Sequence, residues 1–331
     1  MQKEIVLYSI VGMSPAVLTE TVWALAAKKP SVVPDEITVF TTKPCAEKLE
    51  DFCFGKNKRW DELKENIRKK YKIDVSEKLC FSREKIRIIC NTRCEPLSDI
   101  RDDYDNRVML EFFRHEMYTD YSNPNRVCIA SIAGGRKTMG AMLHTVASVL
   151  GREGDKICHV LANDEIVCKH ADFAFPDCKL KGGKSISAKE AGLILADVPF
   201  VGMGSMLAGL GISPNESFSR IQMSLADKMR KDSLSVVLKS DTSTLIIKKD
   251  GVEFASRNMN SESMEYLRSC YDAVKKGLPK PKNKLEENVR TPLSTFRKEL
   301  KKKGFSSEQC SYVLPYRQEN AKIAPENITL E

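Results

Sequence analysis

The chain has no run of 18 apolar residues in its 331. No transmembrane helix is therefore expected, because a bilayer core needs about 20 such residues. It has only four histidines and no HxxxH pair. Its eleven cysteines contain no CxxC, the tightest spacing being Cys90 to Cys94. The usual zinc frameworks are thus missing. An odd number of cysteines scattered from Cys45 to Cys310 reads as reduced, mostly core thiols of an intracellular protein. No GxxxxGK[ST] loop occurs and no GxGxxG follows the first strand, so neither a triphosphatase loop nor a dinucleotide fingerprint is present. The opening apolar stretch, Ile5 to Val11, is too short for a signal peptide's apolar region and suits a strand, which points to the cytoplasm. No internal repeat and no low-complexity segment is visible, and no cofactor or metal is expected.

What is present is an ordinary globular composition, 42% hydrophobic and 30% charged, in a length that suggests two domains. The charge is unevenly placed. Residues 275–303 hold eleven Lys and Arg against three acids, a surplus equal to the formal net charge of +8 for the whole chain. The rest sums to zero, so this one segment is a candidate polyanion surface or a solvated helix face.

The first 200 residues alternate strands with helices. Strands are expected at Glu4–Val11, Glu36–Thr41, Lys85–Cys90, Arg126–Ile132 and Lys156–Asn163. Helices are expected at Pro15–Ala27, with Ser14 as N-cap, in patches from Cys45 to Tyr71, and at Asp103–Tyr121 and Thr138–Leu150. Such alternation implies an α/β domain with a mostly parallel sheet covered on both faces, and ligands at the carboxyl ends of its strands. Leu193–Phe200 is a further apolar segment, and 206–233 reads as a connection. From residue 234 closely spaced strands (Leu234–Lys239, Leu245–Lys248, Gly251–Phe254) precede an amphipathic helix, Asn260–Lys276, and a basic one, Thr291–Lys303. With a terminal hairpin from Tyr312–Gln318 and Lys322–Leu330, the order is that of a winged-helix-like α+β domain. The expected division is 1–205, a connection at 206–233, and 234–331.

Three loops point to one edge of the first domain. Ala133-Gly134-Gly135-Arg136-Lys137-Thr138-Met139 lies where a strand ends and a helix begins. Its glycines allow close backbone approach, helix N-terminal amides bind anions, and Arg136 and Lys137 add fixed charge. Phosphate binding without triphosphatase chemistry follows; the plain alternative is a tight turn with a solvated Arg-Lys pair. Val11-Gly12-Met13-Ser14-Pro15 offers a second glycine, a helix start and a hydroxyl, or simply a helix cap. Leu97 to Asn106 lands on the same edge, with Asp99, Arg101, Asp105 and Asn106 as polar candidates for ligand contacts, or for capping and an Asp–Arg ion pair.

The sequence resembles the CRISPR-associated Rossmann-fold (CARF) proteins, in particular the ring-nuclease-like group of type III systems. The resemblance runs in order through residues 4–200: Ser9-Ile10-Val11-Gly12-Met13-Ser14-Pro15 and on to Leu25, then Asp99-Ile100-Arg101, Asp105-Asn106, Ser131 to Met139, His159-Val160-Leu161 and Val198-Pro199-Phe200. Its most specific element is Gly134-Gly135-Arg136-Lys137-Thr138-Met139. It implies a Rossmann-like domain and a homodimer binding a cyclic oligoadenylate, most often the tetra-adenylate, with each protomer supplying one copy of each loop. It also implies metal-independent cleavage, in which a ribose 2′-OH attacks the adjacent phosphate and leaves a 2′,3′-cyclic phosphate. Ser14 and Lys137 take the catalytic positions, with Arg136 assisting. The expected ligand set is Ser9, Gly12, Met13, Ser14, Asp99, Arg101, Asp105, Asn106, Ala133, Gly134, Gly135, Arg136, Lys137, Thr138 and Met139.

The chain departs from many CARF proteins in one respect. No histidine is preceded at the fifth position by arginine, so the RxxxxH of a HEPN ribonuclease is missing. The ExK triplets, such as Glu62-Leu63-Lys64 and Glu299-Leu300-Lys301, are of the number chance gives in a lysine-rich chain. Two functions remain in view: a ring nuclease that ends type III CRISPR signalling, or a non-catalytic sensor whose C-terminal domain binds nucleic acid, weakly and through 275–303. Neither calls for a membrane.

Overall fold

The computed structural model describes residues 3–163, 170, 172–281, 287–315 and 319–331. It divides into two units, Met1–Phe218 and Ser219–Glu331. Among the described residues no helix is long and apolar enough to cross a membrane.

The first unit is built on a six-stranded sheet of β1 (Glu4–Ile10), β2 (Glu36–Thr41), β3 (Ile86–Ile88), β4 (Arg126–Ser131), β5 (Lys156–Leu161) and β6 (Ile194–Asp197). The order is β3-β2-β1-β4-β5-β6, parallel throughout except that β6 runs antiparallel to β5. The central strands are continuous apolar runs because both faces are covered. Helices α1 (Ala16–Ala27), α2 (Lys43–Phe54), α3 (Arg59–Tyr71), α4 (Asp103–Ser122) and α5 (Lys137–Leu150) follow the strands. On one face Leu7, Val39 and Ile129 pack in a single core with Leu18, Val22 and Trp23 of α1 and Trp60 and Leu63 of α3. On the other, Tyr8 stacks on Phe40 and Phe40 on Phe113 of α4, with ring centroids 5.6 and 4.7 Å apart. The strand order reverses direction between β1 and β4, and at such a switch point the flanking loops part and leave a crevice.

One expectation changes here and a capping aspartate is found. Ser14 does not cap α1: Pro15 occupies the N-cap with φ −69° and ψ −21°, so Ser14 falls one position too early to reach the first amides. Asp102 caps α4, its carboxylate accepting the Asp105 N–H at 2.9 Å.

The stretch expected as a connection carries two helices, α6 (Gly204–Gly209) and α7 (Phe218–Asp232). Beyond it lies a four-stranded sheet of β7 (Leu234–Lys239), β8 (Thr244–Lys249), β9 (Val252–Asn258) and β10 (Ile328–Leu330), in the order β10-β7-β8-β9. Its core takes in α8 (Ser261–Lys275), α9 (Glu287–Lys302) and α10 (Ser307–Val313). Among the described residues the expected terminal hairpin is not formed. Tyr312 and Val313 are helical, because Ser306 and Gln309 make a reciprocal capping box, and the last strand joins β7 in parallel. The positions 316–318 of that hairpin lie outside the described residues.

Candidate functional site

Four strand-to-helix connections meet at the carboxyl edge of the first sheet. The β1 loop and the β4 loop are in backbone contact: a Cβ on Gly12 would lie 2.7 Å from the Gly135 Cα. Gly134 and Gly135 take φ of +91° and +65°, and a Cβ on Gly134 would lie 2.8 Å from the Ile10 carbonyl oxygen. Only glycine fits this approach. The Arg136 N–H donates to the Met139 Sδ at 3.4 Å, so a thioether closes the first turn of α5 where a carboxylate or amide side chain is usual.

The β2 and β3 connections are tied to this frame. The Thr41 hydroxyl donates to the Val11 carbonyl at 2.7 Å, and the Lys43 N–H donates to the Leu97 carbonyl at 3.0 Å. That bond lays the segment after Leu97 over the start of α2. Between the four connections is a cleft of about 610 Å³ lined by Val11, Gly12, Met13, Thr42, Pro44, Cys45, Ser98, Asp99, Arg101, Gly135, Arg136 and Met139. Met13 and Cys45 meet with their sulfurs 3.6 Å apart. Across from them Arg136 donates Nε and Nη2 to the two Asp99 oxygens at 3.0 and 2.5 Å. The Arg136 guanidinium holds the Asp99 carboxyl below the usual carboxylate range. The Asp99 carboxylate therefore stays charged, and this pair stays formed, as pH falls through that range, opening only below it.

Of the expected ligand residues, Gly12, Met13, Asp99, Arg101, Gly135, Arg136 and Met139 share this cleft. Ser14, Lys137 and Thr138 are exposed at the starts of α1 and α5 beside it, outside its lining. Gly134 supports the turn. Ser9 and Ala133 are buried, 0% and 1% exposed, and do not reach the cleft. Asp105 and Asn106 lie in the first turn of α4, where Asp105 accepts the Arg101 N–H at 2.9 Å and so shapes the loop that carries Arg101. Thr42, Pro44, Cys45, Ser98 and Val11 also line the cleft and were outside the expected set, the last two within loops already singled out. The signal for the first three is a strand, Glu36–Thr41, followed at once by a proline in the first turn of a helix, which marks one more connection on the same edge.

A mostly parallel sheet with two glycine turns in contact at its switch point defines a Rossmann-like domain with a crevice at its carboxyl edge. The sequence model of the family described as CRISPR-associated protein NE0113 matches residues 14–231, and the chain belongs to that family. No curated protein matches. Among solved structures the chain is similar to Enterococcus italicus Csm6 bound to cyclic hexa-2′-fluoro-hexa-dAMP, at 13% identity and a TM-score of 0.33. The match covers 69% of this chain and 50% of that one, so the chain spans about half the length of that protein.

Proposed function

We propose that this CRISPR-associated protein binds a cyclic oligoadenylate, the tetra-adenylate first, at the crevice between β1 and β4, and cleaves it as a metal-independent ring nuclease. One observation carries the reading: two strand-to-helix loops in backbone contact, Gly12 against Gly135, beside a cleft that presents Arg136. Backbone amides at helix starts together with a guanidinium suit a phosphodiester. Membership of a CRISPR-associated family supports the choice of ligand.

The reaction needs no nucleophile from the protein. The ribose 2′-oxygen loses its proton and bonds to the adjacent phosphorus. The bond from phosphorus to the 5′-oxygen breaks, and that oxygen takes up a proton. The products are a 2′,3′-cyclic phosphate and a 5′-hydroxyl. Ser14 holds the 2′-OH in line, Lys137 stabilises the charge that builds on the phosphorane, and Arg136 assists by fixing the phosphate. A homodimer, in the cytoplasm, presents two copies of the cleft to a ligand that is itself two-fold.

A second reading rests on α9, where Arg290, Lys298 and Lys301 are exposed at helical spacing with Lys302 beside them. In it the protein is a sensor whose winged-helix-like C-terminal unit binds nucleic acid. Incubating the protein with labelled cyclic tri-, tetra- and hexa-adenylate in EDTA separates the two. Linear products ending in 2′,3′-cyclic phosphate are expected. Recovery of intact ring after long incubation with excess protein would leave the sensor.

A further inference from the structure

The Asp99–Arg136 pair joins the connection after β3 to the connection after β4. Leu97, two residues before Asp99, accepts the Lys43 N–H at the start of α2, just beyond β2. In strand order β1 lies between β2 and β4, strands two spacings or roughly 10 Å apart, and the β1 connection carries Gly12 and Met13. Both partners line the cleft, and both reach solvent, with side-chain exposures of 61% for Arg136 and 30% for Asp99. Arg136 commits two donors of its fork to this one carboxylate, the geometry in which a guanidinium also grips a phosphate. Asp99 is fixed in turn, since its Oδ1 also accepts the Ile100 N–H at 2.9 Å.

We propose that Asp99 is a positioning residue that clasps Arg136 across the cleft, and that a phosphate group entering the cleft displaces the Asp99 carboxylate from the guanidinium. The inference rests on the anion-binding reading of this cleft and deepens it. The clasp is suited to exchange. A carboxylate and a phosphate oxygen pair compete for the same two N–H donors, and a solvent-screened ion pair gives way to a ligand that brings equal or greater charge. While closed it also keeps a strong cation from holding stray anions. It acts as a threshold: a ligand with further contacts along the cleft, such as a ring against Met13 and Cys45, opens it at lower concentration than a bare phosphate does.

Four proteins test this: wild type, Asp99→Asn, Arg136→Gln and the double variant. Each is titrated by calorimetry with cyclic tetra-adenylate and, separately, with inorganic pyrophosphate. Asp99→Asn should bind both probes at least five-fold more tightly, a gain that damage to the loop does not produce. Arg136→Gln should bind at least ten-fold more weakly. In the Arg136→Gln background, Asp99→Asn should change affinity less than two-fold, because the residue acts through Arg136. Equal or weaker binding by Asp99→Asn, or a gain that persists without Arg136, overturns the clasp. If pyrophosphate follows this pattern and cyclic tetra-adenylate binds none of the four, the clasp stands and the cyclic oligoadenylate reading falls. If neither probe binds any of them, both fall.

Discussion

The two basic clusters of this chain differ in what their charges face. In the first unit Arg136 stands in a cleft, held by one carboxylate, with Lys137 exposed beside it. In the second unit most described cations of 275–303 are exposed, only Lys280 and Arg297 being half-buried, yet several donate to backbone carbonyls. Arg297 donates to the carbonyls of Leu314 and Pro315 at 3.2 and 3.3 Å, Lys275 to that of Ile328 at 3.2 Å, and Lys303 to that of Phe254 at 3.1 Å. Lys280 sits 5.5 Å from the Tyr266 ring, where burial lowers its pKa. The segment with the larger surplus of charge therefore uses three of its cations to satisfy backbone carbonyls. The smaller cluster keeps its cations at a cleft. A charge count alone does not separate these uses.

The sharpest contrast between the units lies in catalysis. Lys137→Ala should slow single-turnover ring cleavage by roughly a hundredfold or more, the usual cost of removing one preorganised donor to a charged transition state. Replacing Lys298 and Lys301 with Gln should leave that rate unchanged. A quench assay on both proteins reads the difference, and equal rates would erase it.

Gly12→Ala should come next. Its Cβ would meet the Gly135 backbone at 2.7 Å, a contact with main chain and not with a side chain that could move aside. Binding of cyclic tetra-adenylate should fall tenfold or more while the thermal transition of the second unit is preserved, as calorimetric titration and circular dichroism melting would check.

Arg297→Gln should act on stability instead of binding. Two carbonyls lose a charged donor, and such bonds contribute about 1.5–3 kcal/mol. Denaturant unfolding should show a loss of that order, with no change in any dependence of nucleic-acid binding on salt. Replacing the exposed Arg290, Lys298 and Lys301 should do the reverse. Stability should hold, and any log–log slope of binding against salt should fall by about one for each phosphate no longer neutralised.

The smallest effect expected is on the stability of Ser14→Ala. Pro15 holds the N-cap and Ser14 is exposed, so the change should stay within about 0.5 kcal/mol in denaturant unfolding even where cleavage slows. A loss near 1 kcal/mol would mean that the hydroxyl caps the helix after all.

Much of the first unit was legible in the sequence because its determinants are local. The β-branched run Glu36–Thr41 is a strand with the expected ends, and the Gly134-Gly135-Arg136-Lys137 turn opens a helix after a strand as expected. What was missed depends on residues far apart in the chain. Asp99 reaches Arg136, 37 positions on, where the sequence suggested a pair within one loop. Thr42, Pro44 and Cys45 look like an ordinary helix start until the sheet order puts β2 beside β1. Ser9 matches the expected pattern by position, yet it lies in a central strand covered on both faces and is buried. In the second unit, β10 pairs with β7, about ninety positions earlier in the chain, in place of its own neighbour. Arg297 sits in a lysine-rich run that gives no sign of which cation turns inward.

Hydrogen exchange on the full chain, with and without cyclic tetra-adenylate, tests most directly the claim that the polyanion seat is the switch-point edge of the first sheet. Slowed exchange is expected in 11–16, 42–45, 98–101 and 133–139, the four connections that meet at the cleft, with 287–302 unchanged. Slowed exchange confined to 287–302, with the four connections unaffected, would contradict the account.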